Sequence, residues 1–260
     1  DALRDHIREG DVYEVNLCQE FYADGVEIDP GALFRRLVQL SPNPFSGFLR
    51  FGEKYVISSS MERFLKKEGK MLISQPIKGT TKRTGDPNKD TELRERLYKD
   101  EKERAENLMI VDLVRNDLSR SCIPGTVKVA ELFGIYPYTR VFHMVSTVSG
   151  EMLPDVHWVD ALRSAFPMGS MTGAPKVMAM ALIEKYEKSK RGVYSGSVGY
   201  ITPSGDFDFN VVIRTFLYNA KDKYISLHAG SAITYDSDPR QEYEECLVKI
   251  ESLLEALNEG

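Results

Sequence analysis

Cysteine is scarce and scattered: Cys18, Cys122 and Cys246 are the only three in 260 residues, and no two form a CxxC pair. An odd, dispersed set frames neither a disulfide network nor a thiolate zinc site, and it suits a reducing compartment such as the cytoplasm. Long apolar runs are missing too. No stretch approaches the roughly 18 residues of a membrane span, and the start has no signal-peptide pattern. Nor is there a basic block. The 34 Lys and Arg are interspersed among 39 Asp and Glu for a net charge of −5, so the electrostatic footprint of a nucleic-acid binder is lacking. An initiator methionine is also lacking, so a processed chain, or a portion of a longer one, is expected.

What remains is ordinary globular composition, 42% hydrophobic and 28% charged. That is enough for a large core in one domain or two intimate halves. Within it, Gln75-Pro76-Ile77-Lys78-Gly79-Thr80 sets one lysine between apolar strand-like residues and a glycine. Met71-Leu72-Ile73-Ser74 leads in as a short strand, and Gly79 lets the chain turn closely past whatever Lys78 faces. Lys78 either keeps its head in solvent, as most lysines do, or is drawn out of water and becomes a usable amine nucleophile or base.

The spacing predicts a helix over 2–9 stopped by Gly10, then an alternating strand over 12–18. Glu14 falls on that strand, on a solvated face by default. A helix over 31–40 and strands near 45–51, 54–59 and 71–75 follow. Between them, Ser58-Ser59-Ser60-Met61-Glu62 reads as a helix cap or as the wall of a polar pocket. Residues 81–87 read as a surface loop, and a long charged helix is expected from Asp90, turning apolar over 108–114. Glu103 and Glu106 share a face of it, with Arg104 or Arg115 as possible counter-ions. Strands are expected over 126–132 and 139–150, the second carrying His143 as a hydrogen-bonded core residue or as part of a site. A helix over 156–165 leads into the glycine-rich 168–176, which is not a P-loop because Ala174-Pro175 interrupts the ending. After a helix over 176–187, two long strands near 192–202 and 207–218 should pair across a hairpin, the second placing Arg214 to bind a carboxylate bidentately. The last helix is capped by Asp238, with an apolar stripe of Tyr243, Leu247, Ile250, Leu254 and Leu257. Beside that stripe run Glu242, Glu245 and Lys249, of which the last two form an ordinary i,i+4 pair at the least.

Two helices thus each carry Glu-x-x-Glu, and four converging carboxylates would repel unless a hard divalent cation such as Mg²⁺ sat among them. GDVYEVNLCQEF, SSSMERF, QPIKGT, AENLMIVDLVRNDLSR, VFHMVSTVSG, FPMGSMTGAPK, YSGSVGY, FNVVIRT and DSDPRQEYEECLVKI occur in this order. With these motifs the whole chain resembles the chorismate-utilising enzymes.

The resemblance implies an α+β fold with two stacked antiparallel sheets flanked by helices in four layers. It also implies a catalytic domain over 1–260 that lacks an N-terminal portion present in relatives. Lys78 would attack C2 of chorismate and Glu62 would be the general acid. Thr80, His143, Tyr194, Arg214 and Lys249 would contact the substrate. Mg²⁺ would be held directly by Glu106 and Glu245, with Glu103 and Glu242 acting through water, and a glutamine amidotransferase partner would supply ammonia. In this family the lysine of PIKGT marks members that aminate C4 for 4-aminobenzoate and folate synthesis, whereas those forming anthranilate carry alanine. Formation of anthranilate, or chorismate binding without turnover, are the rival readings. Two positions depart from the pattern. Glu14 stands where aminating members have glutamine and water-adding ones lysine, which argues against isochorismate or salicylate formation. Ala232 stands where the relatives' AGAG run ends in glycine.

Overall fold

The structure, a computed structural model, describes residues 1–258. In chain order its elements are α1 (Ala2–Glu9), β1 (Glu14–Ala23), α2 (Pro30–Leu40), β2 (Phe45–Phe51), β3 (Lys54–Ser60), β4 (Arg63–Glu68), β5 (Met71–Gln75), β6 (Ile77–Lys82), α3 (Pro87–Lys99) and α4 (Glu101–Ser119). Then come β7 (Lys128–Pro137), β8 (Val141–Glu151), α5 (Trp158–Ala165), β9 (Gly173–Ala174), α6 (Lys176–Tyr186), β10 (Gly199–Ile201), β11 (Phe207–Asn210), β12 (Thr215–Asn219), β13 (Tyr224–Ile233) and α7 (Pro239–Asn258). The chain is α+β, with two antiparallel sheets, each in its own compact unit.

The first unit comprises Asp1–Met61, Met171–Ser197 and the chain from Val211 onward. Its six strands run in the order β2-β3-β12-β13-β1-β9. β1 and β13 pair from Val15↔Ile233 to Ala23↔Ile225, so the side-chain period of two divides their residues between two faces. The odd-numbered face is apolar except at Gln19 and Ser231. Leu227 of β13, with Ile57 and Phe216, packs against Leu33 and Leu37 of α2 and Ile250 and Leu253 of α7. Val15 packs with Leu3, Ala179 and Leu182 of the flanking helices. The even-numbered face carries Asn16, Cys18, Glu20, Ser226, His228 and Gly230.

The second unit, Glu62–Ser170 with Val198–Asn210, holds a seven-stranded sheet ordered β10-β11-β4-β5-β8-β6, with β7 also pairing β8. α4 packs on β8 and β6 and buries Ile110 and Val111, while Leu97 of α3 joins Phe133, Phe142 and Met144.

Local chemistry explains the helix ends. Asp29 caps α2 by accepting from Gly31 N and Ala32 N, with Pro30 in the first turn. Asp238 does the same for α7 with Arg240 N and Gln241 N, both at 3.0 Å. The charged helix expected from Asp90 starts instead at Pro87, capped by Asp86, and breaks at Asp100, whose side chain accepts from Glu103 N and opens α4. No helix follows Ser58-Ser59-Ser60: the residues after Glu62 form β4, so the helix-cap reading is wrong. The expected pair of long strands also shortens. Only β10 and β11 form the hairpin, and at 211–214 the chain leaves that sheet, Arg214 taking φ 52 before β12 begins in the other. α7 buries Glu242, Cys246, Ile250, Leu253 and Ala256, leaving Tyr243, Leu247 and Leu254 exposed. Small Cys246 and Ala256 let that face approach the sheet, so the helix is rotated from the expected stripe.

All three cysteines are free and buried, and among the described residues no helix is long and apolar enough to cross a membrane.

Candidate functional site

In the second unit, Lys78 lies on β6, where the pairing with β8 is interrupted between Ile77↔Val145 and Thr80↔His143. Gly79 makes the interruption possible. It sits at φ 95, and a Cβ there would come 3.1 Å from Met144 Cβ and 3.3 Å from Glu103 Oε2. The bulge turns Lys78 toward α4, where its Nζ lies 3.7 Å from Glu106 Oε2, with side-chain exposures of 13% and 14%. The solvated-head reading of Lys78 therefore fails. Besides Lys78, the exposed Lys102 lies beside Glu106, at 3.9 Å. Arg104 instead lies over the Tyr98 and Phe133 rings, and Arg115 pairs with Asp112.

Asn107 explains why α4 presents these glutamates at Lys78. Its buried amide donates to Lys78 O at 3.3 Å and Met144 O at 3.5 Å and accepts from Ser146 Oγ at 2.6 Å, tying the helix to β6 and β8. The sequence signal was an amide on the face where α4 turns apolar. Asn107→Leu removes partners from two carbonyls and one hydroxyl, and should cost about 1–3 kcal/mol. An unchanged urea midpoint would contradict this.

Thr80 Oγ1 and His143 Nδ1 share a 2.8 Å hydrogen bond, and Tyr138 meets the His143 ring edge-on at 4.8 Å. His143 is buried. Glu62, also buried, accepts from Ser170 Oγ at 2.6 Å and lies close enough to Tyr138 to raise its phenol pKa, after burial, the larger cause.

The first unit gathers Tyr194, Arg214, Glu245 and Lys249. Desolvation lowers the Arg214 pKa to about 10, with Tyr194 and Glu245 opposing it. It stays cationic at neutral pH, and among the described residues no hydrogen bond or ion pair engages its guanidinium. A desolvated guanidinium of this kind has its bidentate fork available for an anion. Lys249 Nζ donates to Gly230 O at 2.8 Å and pairs with Glu245 at 2.5 Å, so the i,i+4 ion pair is present and has a second anchor on β13. Glu242 is buried and accepts from Ser237 Oγ at 2.7 Å. Ala229, Gly230, Ser231 and Ala232 lie within β13. Glu14 is 1% exposed, not on a solvated face.

Tyr194 was expected; its surroundings were not. Its ring stacks on His228 at 5.0 Å, and the Cys18 thiol lies 3.8 Å from its hydroxyl. Burial, then Cys18, raises the Tyr194 phenol well above its ordinary value. Burial likewise pushes the Cys18 thiol up to about 12, so neither ionises near neutrality. His228 is 5% exposed, and neither ring nitrogen has a hydrogen-bond partner among the described residues. Burial holds its pKa below the ordinary 6.5, against a smaller opposite pull from Glu20 and Glu187. The unfolded chain therefore binds this proton first, and stability should fall as pH drops below about 6.5. His228→Gln should flatten the change in urea midpoint between about pH 7.5 and about pH 5.5; an unaltered slope would contradict it.

Of the carboxylates expected to hold a hard cation, Glu103 and Glu106 lie on α4 of the second unit and Glu242 and Glu245 on α7 of the first. Among the described residues, the one group of three whose candidate ligand atoms all lie within 4.8 Å is His6, Glu9 and Asp11. His6 already engages Asp11 through Nδ1 at 2.7 Å and Tyr186 through Nε2 at 3.0 Å, so it has no nitrogen left for a metal.

The pattern of chorismate binding enzymes matches residues 1–255. The chain belongs to the chorismate binding enzyme family. The chain is 43% identical over 251 residues to aminodeoxychorismate synthase component 1 of Salmonella typhimurium, covering 96% of this chain and 55% of that protein. It is 41% identical over 253 residues to anthranilate synthase component 1 of Thermus thermophilus, covering 97% and 54%. Among solved structures, anthranilate synthase component I from Streptococcus pneumoniae TIGR4 matches with a TM-score of 0.88 at 35% identity, over 97% of this chain and 55% of that one. The menaquinone-specific isochorismate synthase from Escherichia coli matches in fold, with a TM-score of 0.89 at 24% identity over 98% and 59%. The chain thus spans a little over half the length of these relatives.

Proposed function

We propose that this chain is the catalytic portion of an aminodeoxychorismate synthase component 1, which converts chorismate and ammonia to 4-amino-4-deoxychorismate. Relatives named for this activity and for anthranilate synthesis are similarly close, at 43% and 41% identity, so overall likeness does not separate them. The observation that carries the choice is Lys78, an amine drawn out of water on a strand bulge beside Glu106. A partly desolvated lysine is the residue type that forms covalent intermediates.

In this reading the free amine of Lys78 attacks C2 while the bond from C4 to its hydroxyl breaks. Glu62 donates the proton with which that hydroxyl leaves as water. Ammonia then forms a bond to C4 as the C2–nitrogen bond breaks, returning Lys78 as an amine. The proton shed at C4 restores Glu62, and the enolpyruvyl group is retained. Arg214, Tyr194 and Lys249 bind the substrate carboxylates, and Thr80 and His143 line the ring. Glu106 and Glu245 would hold Mg²⁺, with Glu103 and Glu242 assisting, and the ion would supply positive charge for a substrate carboxylate. A glutamine amidotransferase in the same reducing cytoplasm delivers the ammonia, and the product feeds 4-aminobenzoate and folate synthesis.

The test is the product formed from chorismate, Mg²⁺ and concentrated ammonium. A non-aromatic amine retaining the enolpyruvyl group, which a lyase converts to 4-aminobenzoate, supports the reading. Anthranilate would replace it with the second reading, which the similar identity to anthranilate synthases keeps in play. Chorismate bound but unchanged would indicate a binding module.

A further inference from the structure

The turn that carries Tyr194 is held by a buried ion pair to which the proposed chemistry gives no role. Arg191 and Glu187 have side-chain exposures of 13% and 6%, and Nη2 lies 2.6 Å from Glu187 Oε1. All five guanidinium N–H groups find acceptors. Nε donates to Glu187 Oε2 at 2.9 Å and Oε1 at 3.2 Å; Nη1 to Met171 O at 2.6 Å and Ser195 Oγ at 3.1 Å; Nη2 to Glu187 Oε1 and, at 2.9 Å, to Asn16 O. Glu187 Oε1 also accepts from Cys18 N at 2.8 Å. A guanidinium saturated within the protein has no donor left for a substrate carboxylate. Arg214 is in the opposite condition, so the two arginines divide the work: one binds and the other builds.

What Arg191 builds is the setting of Tyr194. Tyr194 N donates to Arg191 O at 3.0 Å, closing the turn, and Ser195 follows at φ 64, a left-handed conformation unfavourable for serine. The Arg191 bond to Ser195 Oγ and the bond from Ser195 N to Val212 O at 2.9 Å hold that residue. The bonds to Asn16 O and Cys18 N fix the same turn to β1. Between these anchors the Tyr194 ring lies against His228 and its hydroxyl beside Cys18.

We propose that Arg191, clamped by Glu187, is a positioning residue that presents the Tyr194 hydroxyl to a substrate carboxylate. This rests on Tyr194 contacting the substrate, as in the function proposed above. A carboxylate remote from the reacting carbons is held alike in ground and transition states, so its misplacement raises KM and leaves kcat nearly alone. Arg191→Lys keeps the charge beside Glu187 but loses the planar fork that reaches Ser195 and the two carbonyls together.

The experiment measures KM and kcat for chorismate, with ammonium as nitrogen donor, in the intact protein and in Arg191→Lys, Tyr194→Phe and the double variant. The expected result is a KM about tenfold higher for each single variant with kcat within about threefold, and no further rise in the double variant. Glu187→Gln, which keeps the shape and an acceptor for Cys18 N, should raise KM in the same direction if Arg191→Lys fails to fold. The proposal is overturned if Arg191→Lys raises KM equally in the Tyr194→Phe background, or lowers kcat at constant KM. If Tyr194→Phe raises KM and neither clamp variant does, positioning alone fails. If Tyr194→Phe leaves KM unchanged, the role of Tyr194 itself fails, and the clamp has nothing to position.

Discussion

Lys78→Ala should lower the rate of 4-amino-4-deoxychorismate formation by on the order of 10³-fold or more at saturating ammonium, while chorismate still binds. At about 1.4 kcal/mol per tenfold, that is a loss of at least about 4 kcal/mol of transition-state stabilisation. The size follows from what would be removed. Lys78 sits on a bulge that Gly79 permits and Asn107 holds by its carbonyl, and its amine is largely removed from water. Without a nucleophile to enter at C2, the C4 hydroxyl would have to leave without an incoming electron pair. Lys78→Arg should fare no better, because a guanidinium does not lose its proton in the working pH range. Folding should be intact in both, since the side chain contributes no apolar core. A Lys78→Ala rate within tenfold of the parent would remove the covalent step.

Gly173→Ala should destabilise the first unit by about 3 kcal/mol, a fall in Tm of roughly 6–12 °C for a chain of this size. Gly173 has φ 138, and an added Cβ would stand 2.1 Å from the carbonyl oxygen of Glu14. That oxygen is backbone and cannot swing aside. Gly173 and Ala174 pair with Val15 and Glu14, and the link continues through Tyr13 N to Ala174 O at 2.7 Å and Asn16 N to Thr172 O at 2.8 Å. Relief of the clash would open this ladder and unseat Glu14 and Asn16, the latter a Met171–Arg191 neighbour in the Tyr194 clamp. Activity should therefore fall along with Tm. A Tm equal to the parent's would show that β9 is not held as closely as the geometry requires.

Features set by neighbouring residues were legible in the sequence. Asp238-Pro239 announced the last helix, because a cap and its helix are adjacent in the chain. Lys78 and the Glu103/Glu106 pair stood out by residue type and spacing, and the structure brings Lys78 to Glu106. Features set by distant partners were not legible. Ala229-Gly230-Ser231-Ala232 carries no strand signal of its own, yet it lies in β13, where Gly230 is needed because a Cβ would come 2.5 Å from Cys18 Sγ. The strand expected over 207–218 divides between two sheets, since Arg214 in the left-handed region ends any single ladder. The stripe on α7 followed the largest apolar residues, whereas packing selected the small Cys246 and Ala256 beside Ile250. Arg191 gave no sign in the sequence either, because three of its acceptors, Met171 O, Asn16 O and Ser195 Oγ, become partners only on folding.

The most direct test of the central claim is a peptide-resolved mass measurement on protein mixed with chorismate and Mg²⁺ while ammonia is withheld. With no second nucleophile to release it, the intermediate should be trapped as an increase equal to chorismate less one water, on the peptide carrying Lys78, and ammonium should discharge it. Turnover to 4-amino-4-deoxychorismate with Lys78 never modified would contradict the account.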